Sequence, residues 1–322
     1  MTDSTGGATT ALNQLRRASF IVRLRAYFKQ RFPLGASLAA AILVGSTADL
    51  MAQWIAGTSS PAFDGVTAIV VTTNFMLMLY LRIADEHKDD QTDKIAYPER
   101  LIQQGVITLR ELRQLSYVVV GTAAGLHLFV SHRYSAGFLL LLLYAWFMER
   151  EFFAGQSLRR HPLVYAALHL AIMPIYGLYV LIMRIGWPLE LKVNWQNFML
   201  FAVIIFCVSW VYELGRKVAL PSEIPDRESY VHRIGPKRTG GLVLFGMLVG
   251  AGATTMLLSN LEVSKGMAWL PFLGGSVTAL PFINFVLRPR PGYADTMLGG
   301  VALYALAIYL PLAITLYLGM IP

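Results

Sequence analysis

Residues 82–94 read Arg-Ile-Ala-Asp-Glu-His-Lys-Asp-Asp-Gln-Thr-Asp-Lys and directly follow an apolar run of transmembrane length. If the helix of that run continues, Asp85, Asp89 and Asp93 recur every four residues and share one face with Glu86 nearby. Like charges at this spacing repel one another, which indicates that a cation binds there. Carboxylate oxygens suit Mg²⁺, which is also held by substrate phosphates. The stretch predicts a magnesium site, with a solvated polar loop as the alternative.

The composition is that of a helical membrane protein. Of the 322 residues, 56% are hydrophobic and 14% are charged, whereas a soluble domain has roughly 25% charged residues. The apolar residues form long blocks, and blocks of about 20 residues predict helices that span a bilayer. The single Cys207 lies in one such block, which excludes a disulfide framework and a cysteine-rich metal site.

The order of apolar and polar segments predicts an all-α fold with nine transmembrane helices around a central cavity. A disordered tail is predicted for residues 1–14. Residues 15–34 form a basic amphipathic stretch that we expect to lie on an anionic membrane surface. The transmembrane domain covers residues 35–322. Its predicted spans are 35–57, 66–84, 113–131, 135–153, 162–185, 195–213, 239–259, 266–287 and 296–320.

The distribution of basic residues predicts the orientation of these spans. With a cytoplasmic N-terminus, nearly all of the 27 Lys and Arg residues fall in the tail and the inside loops, as the positive-inside rule requires. The polar loops that follow the second and sixth spans are then cytoplasmic. No nucleic-acid partner is expected, because the basic residues are spread over loops and form no recognition motif. The outside residues are Arg133, Arg184, Lys192 and Lys265.

Cations surround the acidic stretch, and a punctuated loop follows it. Carboxylates beside Lys and Arg suit a Mg²⁺-bridged diphosphate, because metal and side chains together offset the charge of the leaving group. Pro98 and Gly105 interrupt the loop, and Thr108 with Glu111 forms a capping box that starts the next helix. The candidate diphosphate-binding cations of this region are Arg82, Lys88, Lys94 and Arg100.

These residues resemble the UbiA superfamily of intramembrane prenyltransferases. The pattern over residues 82–93 is similar to that family's first aspartate-rich motif, Asn-Asp-x-x-Asp-x-x-x-Asp behind an upstream Arg. Nine spans with polar loops after the second and sixth also match, so the resemblance covers essentially the whole chain. The residues similar to the family's next signature are Pro98-x-Arg100 and Gly105-x-Ile107-Thr108.

Both acidic motifs depart from the family's pattern. Asp85 and Glu86 stand where the family has Asn and Asp, which keeps oxygen ligands but adds charge. After the sixth span the family has Asp-x-x-Asp-x-x-x-Asp, whereas here only Glu213 is acidic and Arg216 stands at the second acid's position. We expect Arg216 and Lys217 to bind diphosphate oxygens directly.

Further candidates lie around the second motif and inside the spans. Tyr212 adjoins the second motif, and its ring can stabilise an allylic cation. Polar residues inside spans are candidates for a cavity or acceptor site, because burying them in lipid is costly. Of these, His169 is a candidate base or acceptor ligand, with a bond to the carbonyl of a neighbouring helix as the alternative. The other cavity candidates are Asp49 with Gln53, and Asn74; candidates for a missing metal ligand are Glu223, Asp226 and Glu228.

The resemblance implies that Mg²⁺ activates an isoprenyl diphosphate and that the prenyl group is transferred to a lipophilic acceptor in the membrane. Asp85, Asp89 and Glu213 are the implied catalytic acids, with Tyr212 beside them. A terpene cyclase of the same family is one alternative, in which the substrate's own double bond captures the cation and no acceptor is needed. A transporter that uses intramembrane polar groups for coupling is the alternative from another class. The implied metal ligands are Asp85, Glu86, Asp89, Asp93 and Glu213.

Overall fold

The computed structural model describes residues 4–58, 60–130, 132–189, 193–224 and 229–318, and all regular structure in these ranges is helical. The predicted all-α class is confirmed. Two short 3-10 turns occur at Glu151–Phe153 and Pro221–Glu223. The helices are α1 Ser4–Arg17, α2 Phe20–Arg31, α3 Leu34–Ile55, α4 Gly65–Lys88, α5 Asp90–Ala96, α6 Leu109–Leu128, α7 His132–Glu149, α8 Gly155–Arg160, α9 Pro162–Leu170, α10 Ile172–Ile185, α11 Trp195–Gly215, α12 Tyr230–Ile234, α13 Pro236–Asn260, α14 Lys265–Leu287 and α15 Ala294–Tyr317.

Seven helical segments in the described ranges are long and apolar enough to cross a bilayer, so the protein is a multi-pass integral membrane protein. They are α3, α4, the α9–α10 pair, α11, α13, α14 and α15. Helices α6 and α7 occupy the third and fourth predicted spans but are less apolar, because charged residues such as Glu111, Arg113 and Arg133 lie at their ends. The total of nine spans around a central cavity stays a prediction.

The N-terminal segment differs from the prediction. Helix α1 begins at Ser4, where the Thr and Gly residues predicted a disordered tail. The same segment also contains Ala, Leu, Gln and Arg, which favour helix formation. Near the end of α1, the Arg16 guanidinium donates to the Gln104 carbonyl at 2.9 Å. This tertiary contact is made by the part of α1 that lies beyond the predicted tail.

The chain forms two compact units, each with its own internal contacts. The first unit consists of Met1–Ile42 and Thr72–Leu126, and the second of Leu43–Val71 and His127–Pro322. In the first unit, side chains of α2, α4, α6 and the loop before α6 form a buried apolar core. This core fixes the C-terminal end of α4, which is predicted to lie on the cytoplasmic side. The core residues are Tyr27, Phe32, Leu79, Ile83, Ile102, Ile107, Leu112 and Val119.

Close helix packing characterises the second unit. Helices α11, α13, α14 and α15 pack on one another, and small residues allow their backbones to approach, as is usual between membrane helices. A Cβ added at Gly246 of α13 would lie 2.8 Å from the Trp210 ring of α11. The buried Tyr304 hydroxyl of α15 donates to the Met247 carbonyl at 3.0 Å. These contacts hold the end of α11, where the second polar motif lies.

Candidate active site

The acidic stretch lies where α4 ends and α5 begins. Helix α4 ends at Lys88, and Asp89 interrupts the helix with φ −95° and ψ 4°. Helical hydrogen bonds nevertheless continue across the break, since the Asp89 amide donates to the Asp85 carbonyl at 2.9 Å and the Asp93 amide donates to the Asp89 carbonyl at 2.8 Å. The predicted spacing of one helical turn is therefore kept, although the helix is not continuous.

The cations of this region hold its carboxylates. Lys88 and Lys94 each contact an acid three or four residues earlier in the chain, which is the spacing at which helical side chains meet. Arg100 comes from the following loop, and its guanidinium also stacks 3.6 Å from the centre of the Tyr97 ring. The ion pairs are Asp85–Lys88 at 2.8 Å, Asp90–Lys94 at 2.6 Å, and Asp93–Arg100.

Glu86 is almost completely buried, with 1% of its surface exposed. Its Oε1 accepts hydrogen bonds from Arg31 Nε at 2.8 Å and from Arg82 Nη2 at 2.5 Å. A buried carboxylate requires such partners, because leaving it unpaired costs several kcal/mol. The structure therefore places this predicted metal ligand inside an arginine cluster, where its Oε2 is buried without a hydrogen-bond partner, and its role as a ligand stays a prediction.

Asp93 is in a similar position. It is 7% exposed, contacts Arg100, and lies 4.0 Å from Arg31 Nη2. By contrast, the Asp85 side chain is 45% exposed, and Asp89 is partly exposed. The four acids predicted as ligands in this stretch thus divide into two that are enclosed by arginine and two that reach the surface of the first unit.

This division decides which residues fit Mg²⁺. Among the residues that the structure describes, no three His, Cys, Asp or Glu side chains come together as a metal site. Mg²⁺ does not need such a cage, because one or two carboxylates usually hold it together with water and substrate phosphates. Asp85, which also contacts Lys88, and Asp89 offer hard oxygens one helical turn apart and fit this mode of binding. Glu86 has one oxygen without a hydrogen-bond partner but is buried, and Asp93 is enclosed by arginine.

The second polar motif lies at the end of α11 in the second unit. Glu213 accepts from Arg216 Nη2 at 2.6 Å and from Lys217 Nζ at 2.5 Å. The Arg216 guanidinium lies 5.7 Å from the centre of the Tyr212 ring. Tyr230 of α12 also takes part, since its hydroxyl donates to Glu213 at 3.4 Å. Two cations therefore compete with any metal for Glu213, while Arg216 and Tyr212 remain 38% and 56% exposed.

Glu223, a candidate for the missing ligand, binds the backbone instead. Its Oε2 accepts from the Leu220 amide at 2.9 Å and its Oε1 from the Gly292 amide at 2.7 Å. These two bonds hold the pKa of the Glu223 carboxyl below its ordinary value. Glu223 fastens the loop after α11. Asp226 and Glu228 lie outside the described residues.

Asp49 belongs to a buried polar network in the second unit rather than to an identified cavity. As predicted, Gln53 is its neighbour and donates to it at 2.9 Å. Its main partner is Arg184, whose Nε and Nη2 bind the two carboxylate oxygens at 2.7 and 2.5 Å. The same guanidinium binds Asp64 at 2.8 Å and lowers the pKa of that carboxyl to about 2. The distribution of basic residues predicted Arg184 at the outside end of the span 162–185, and no local pattern predicted this pairing.

Asn74 and His169 also make structural hydrogen bonds. Asn74 donates to the Ala41 carbonyl at 3.4 Å inside the first unit. His169 Nδ1 donates to the Tyr165 carbonyl at 2.9 Å, one turn earlier in α9, and its ring packs on Tyr165 with centroids 4.1 Å apart. This carbonyl lies in the same helix, whereas the predicted alternative for His169 is a bond to the carbonyl of a neighbouring helix. Neither contact identifies an acceptor site.

The sequence matches no protein-family model and no curated protein. Two solved structures are nevertheless similar over almost the whole chain. One is described as digeranylgeranylglyceryl phosphate synthase in membranes, with a TM-score of 0.62, 12% identity, and coverage of 92% of this chain and 99% of that one. The other is the apo structure of a UbiA homologue from Aeropyrum pernix K1, with a TM-score of 0.60, 13% identity, and coverage of 88% and 98%.

Identities this low establish the fold alone, and that fold is of the UbiA type. The resemblance that the acidic motif and the order of spans predicted is confirmed at this level. The similarity gives no support to the transporter alternative, since neither structure is described as a transporter.

Proposed function

We propose that the protein is a Mg²⁺-dependent intramembrane prenyltransferase, which ionises an isoprenyl diphosphate and transfers the prenyl group to a lipophilic acceptor. One observation carries the proposal: in a chain with the UbiA-type fold, the acidic stretch lies at the end of the second membrane-spanning helix, α4. Two of its carboxylates, Asp85 and Asp89, are partly exposed there, and Lys88 lies beside Asp85. The positive-inside pattern predicts that this end of α4 lies on the cytoplasmic face.

Asp85 and Asp89 would hold Mg²⁺ on the diphosphate. When bound, the ion supplies Lewis-acid activation of the leaving group and orients the substrate. Lys88 lies beside Asp85, and an ammonium carries three N–H donors, so Lys88 can bind a phosphate oxygen while it contacts Asp85. Arg82, whose side chain is partly exposed, pairs with Glu86 and adds positive charge to the same stretch.

The proposal also assigns roles to the second motif. The Arg216 guanidinium has five N–H donors in a planar fork, which suits phosphate oxygens better than a point charge does. Lys217 contributes a second positive charge on the same turn. Glu213 orients both cations by its two short ion pairs and is not a metal ligand in this scheme. The exposed Tyr212 ring offers a π face to a developing allylic cation.

Assays of the purified full-length protein test the proposal. Farnesyl, geranylgeranyl and longer isoprenyl diphosphates would be incubated with Mg²⁺, with and without a membrane-lipid extract that supplies acceptors. We expect pyrophosphate release that requires both Mg²⁺ and the extract, with a prenylated lipid detected by mass spectrometry. A cyclic hydrocarbon or alcohol formed without acceptor would favour the cyclase. Absence of pyrophosphate release from every diphosphate would contradict the proposal.

A matched pair of variants shows that the release comes from the acidic stretch. Asp89→Asn removes one proposed ligand charge. Asp295→Asn makes the same chemical change at an exposed position at the start of α15. Only the first substitution should abolish pyrophosphate release.

A further inference from the structure

Helix α2 holds the loop that follows the acidic stretch. Arg23 of α2 donates to the Val106 carbonyl at 2.9 Å and to the Glu111 carboxylate at 2.6 Å. Gln30, one residue before the end of α2, accepts from the Leu101 amide at 3.1 Å. The helix predicted to lie on the membrane surface thus has an inner face that binds the loop of residues 97–108 at several points.

Arg31, the last residue of α2, reaches both sides of the break between α4 and α5. Its Nε lies 2.8 Å from Glu86 on α4, and its Nη2 lies 4.0 Å from Asp93 on α5. Asp89, a proposed metal ligand, is the residue at the break. One side chain from a helix far away in sequence therefore joins the two segments whose relative direction sets the position of Asp89.

Helix α5 needs such a tie. It has seven residues, and isolated helices shorter than about 12 residues are not stable in water. The carboxylates of Glu86 and Asp93 also repel each other and their neighbours, which opposes the bend that brings them together. A guanidinium placed between them removes this repulsion. Because its side chain is 16% exposed, solvent screens this contact little.

We propose that Arg31 is a positioning residue of the active site: by binding Glu86 and Asp93 it fixes the angle between α4 and α5 and so places Asp85 and Asp89 for the metal-bound diphosphate. The inference rests on the proposed function for its kinetic consequence. It makes α2 part of the catalytic framework as well as a membrane-surface helix.

Hydrogen–deuterium exchange tests the tie without any substrate. In Arg31→Gln, the amides of Asp93 and Tyr97, which bond within α5, should exchange about tenfold faster, the effect of losing one charge-assisted hydrogen bond. Arg25→Gln makes the same change on the exposed face of α2 and should leave this exchange unchanged. Equal exchange in wild type and Arg31→Gln would overturn the inference.

Kinetics test the consequence for the site. Since Arg31 does not contact the substrate in this scheme, Arg31→Gln should lower kcat for pyrophosphate release about tenfold and leave the isoprenyl diphosphate KM within about twofold. Arg31→Lys keeps the charge and should recover part of the lost kcat. A wild-type kcat in Arg31→Gln, or a loss that only matches a smaller folded fraction, would overturn the positioning role.

The two measurements separate this inference from the proposed function. A wild-type protein that releases no pyrophosphate would overturn the proposed function, and the exchange data would still confirm or refute the tie through Arg31. An active wild type with an unaffected Arg31→Gln variant would refute the positioning role alone.

Discussion

The two polar motifs of this chain differ in how many carboxylates they contain and in where the paired cations come from. At the end of α4, residues 85–93 contain five carboxylates, and the cations that pair with them come from α2, α4, α5 and the following loop. At the end of α11, the single carboxylate of Glu213 is held by two cations three and four residues later on the same stretch. The first motif combines local ion pairs with contacts from Arg31 and Arg100, which lie outside α4 and α5, whereas the ion pairs of the second motif are all local.

The difference suggests a division of labour. In the first motif, Glu86 and Asp93 pair with arginines, and Asp85 and Asp89 are partly exposed. These two partly exposed carboxylates suit a divalent cation. The second motif carries an excess of positive charge and suits an anion. Under the proposed function, its departure from the family's acidic pattern corresponds to a change in the kind of ligand, from metal to phosphate oxygen.

The largest expected effect is at the exposed acids of the first motif. Asp89→Asn and Asp85→Asn should each lower kcat/KM for the isoprenyl diphosphate by at least about 100-fold, because a metal ion contributes several kcal/mol to stabilising the leaving group. Asn at position 89 also serves well at the start of a helix, so the thermal midpoint should change little. Ordinary activity in either variant would remove these acids from the site.

Glu86→Gln should show the opposite pattern, with lost stability as its primary effect. Removing the buried carboxylate charge leaves Arg31 and Arg82 uncompensated, and breaking a buried pair costs about 3 kcal/mol of the free energy of unfolding. A denaturant titration in mild detergent measures this cost, with the exposed Glu99→Gln as the matched control. A stable Glu86→Gln protein with no activity would support the metal-ligand role predicted from the sequence.

This contrast also shows what the sequence could predict. The spacing of Asp85, Asp89 and Asp93 follows from helical periodicity, which is local, and the structure keeps it across the break. Arg31, one of the two arginines that bind Glu86, lies 55 residues before it in the sequence. Arg184 lies 135 residues from Asp49. No local pattern encodes such pairings.

Hydropathy is also a local property of the sequence, and it predicted the membrane-spanning helices well. It located the apolar helices, because a segment that crosses the bilayer must be a long apolar run whose backbone hydrogen bonds are made within the helix. It was less decisive for α6 and α7, whose ends carry charged residues that the structure uses in tertiary contacts. Glu111 of α6 binds Arg23, for example.

Arg216→Ala should raise the isoprenyl diphosphate KM about tenfold with a smaller change in kcat, since a charge-assisted bond to an oxygen of the bound substrate is lost. Arg238→Ala removes an exposed cation near the start of α13 and serves as the control. An unchanged KM would exclude Arg216 from diphosphate binding and leave the second motif with a structural role. Lys217→Ala, measured in the same way, would show whether Lys217 contributes to diphosphate binding as Arg216 does.

The smallest effect is expected at Glu223, which the sequence predicted as a candidate metal ligand and which binds backbone amides in the structure. Because Glu223 binds two backbone amides, Glu223→Gln should leave kcat/KM and its Mg²⁺ dependence within about twofold, as for an ordinary surface substitution. Its folded pKa is lowered, so its bonds stabilise the loop above the unfolded value of about 4.3 and weaken as pH falls through the folded value. Exchange at the Gly292 amide should therefore rise below that pH in the wild type and depend less on pH in Glu223→Gln. A large rise in the Mg²⁺ requirement of the variant would instead identify Glu223 as the missing acid of the second motif.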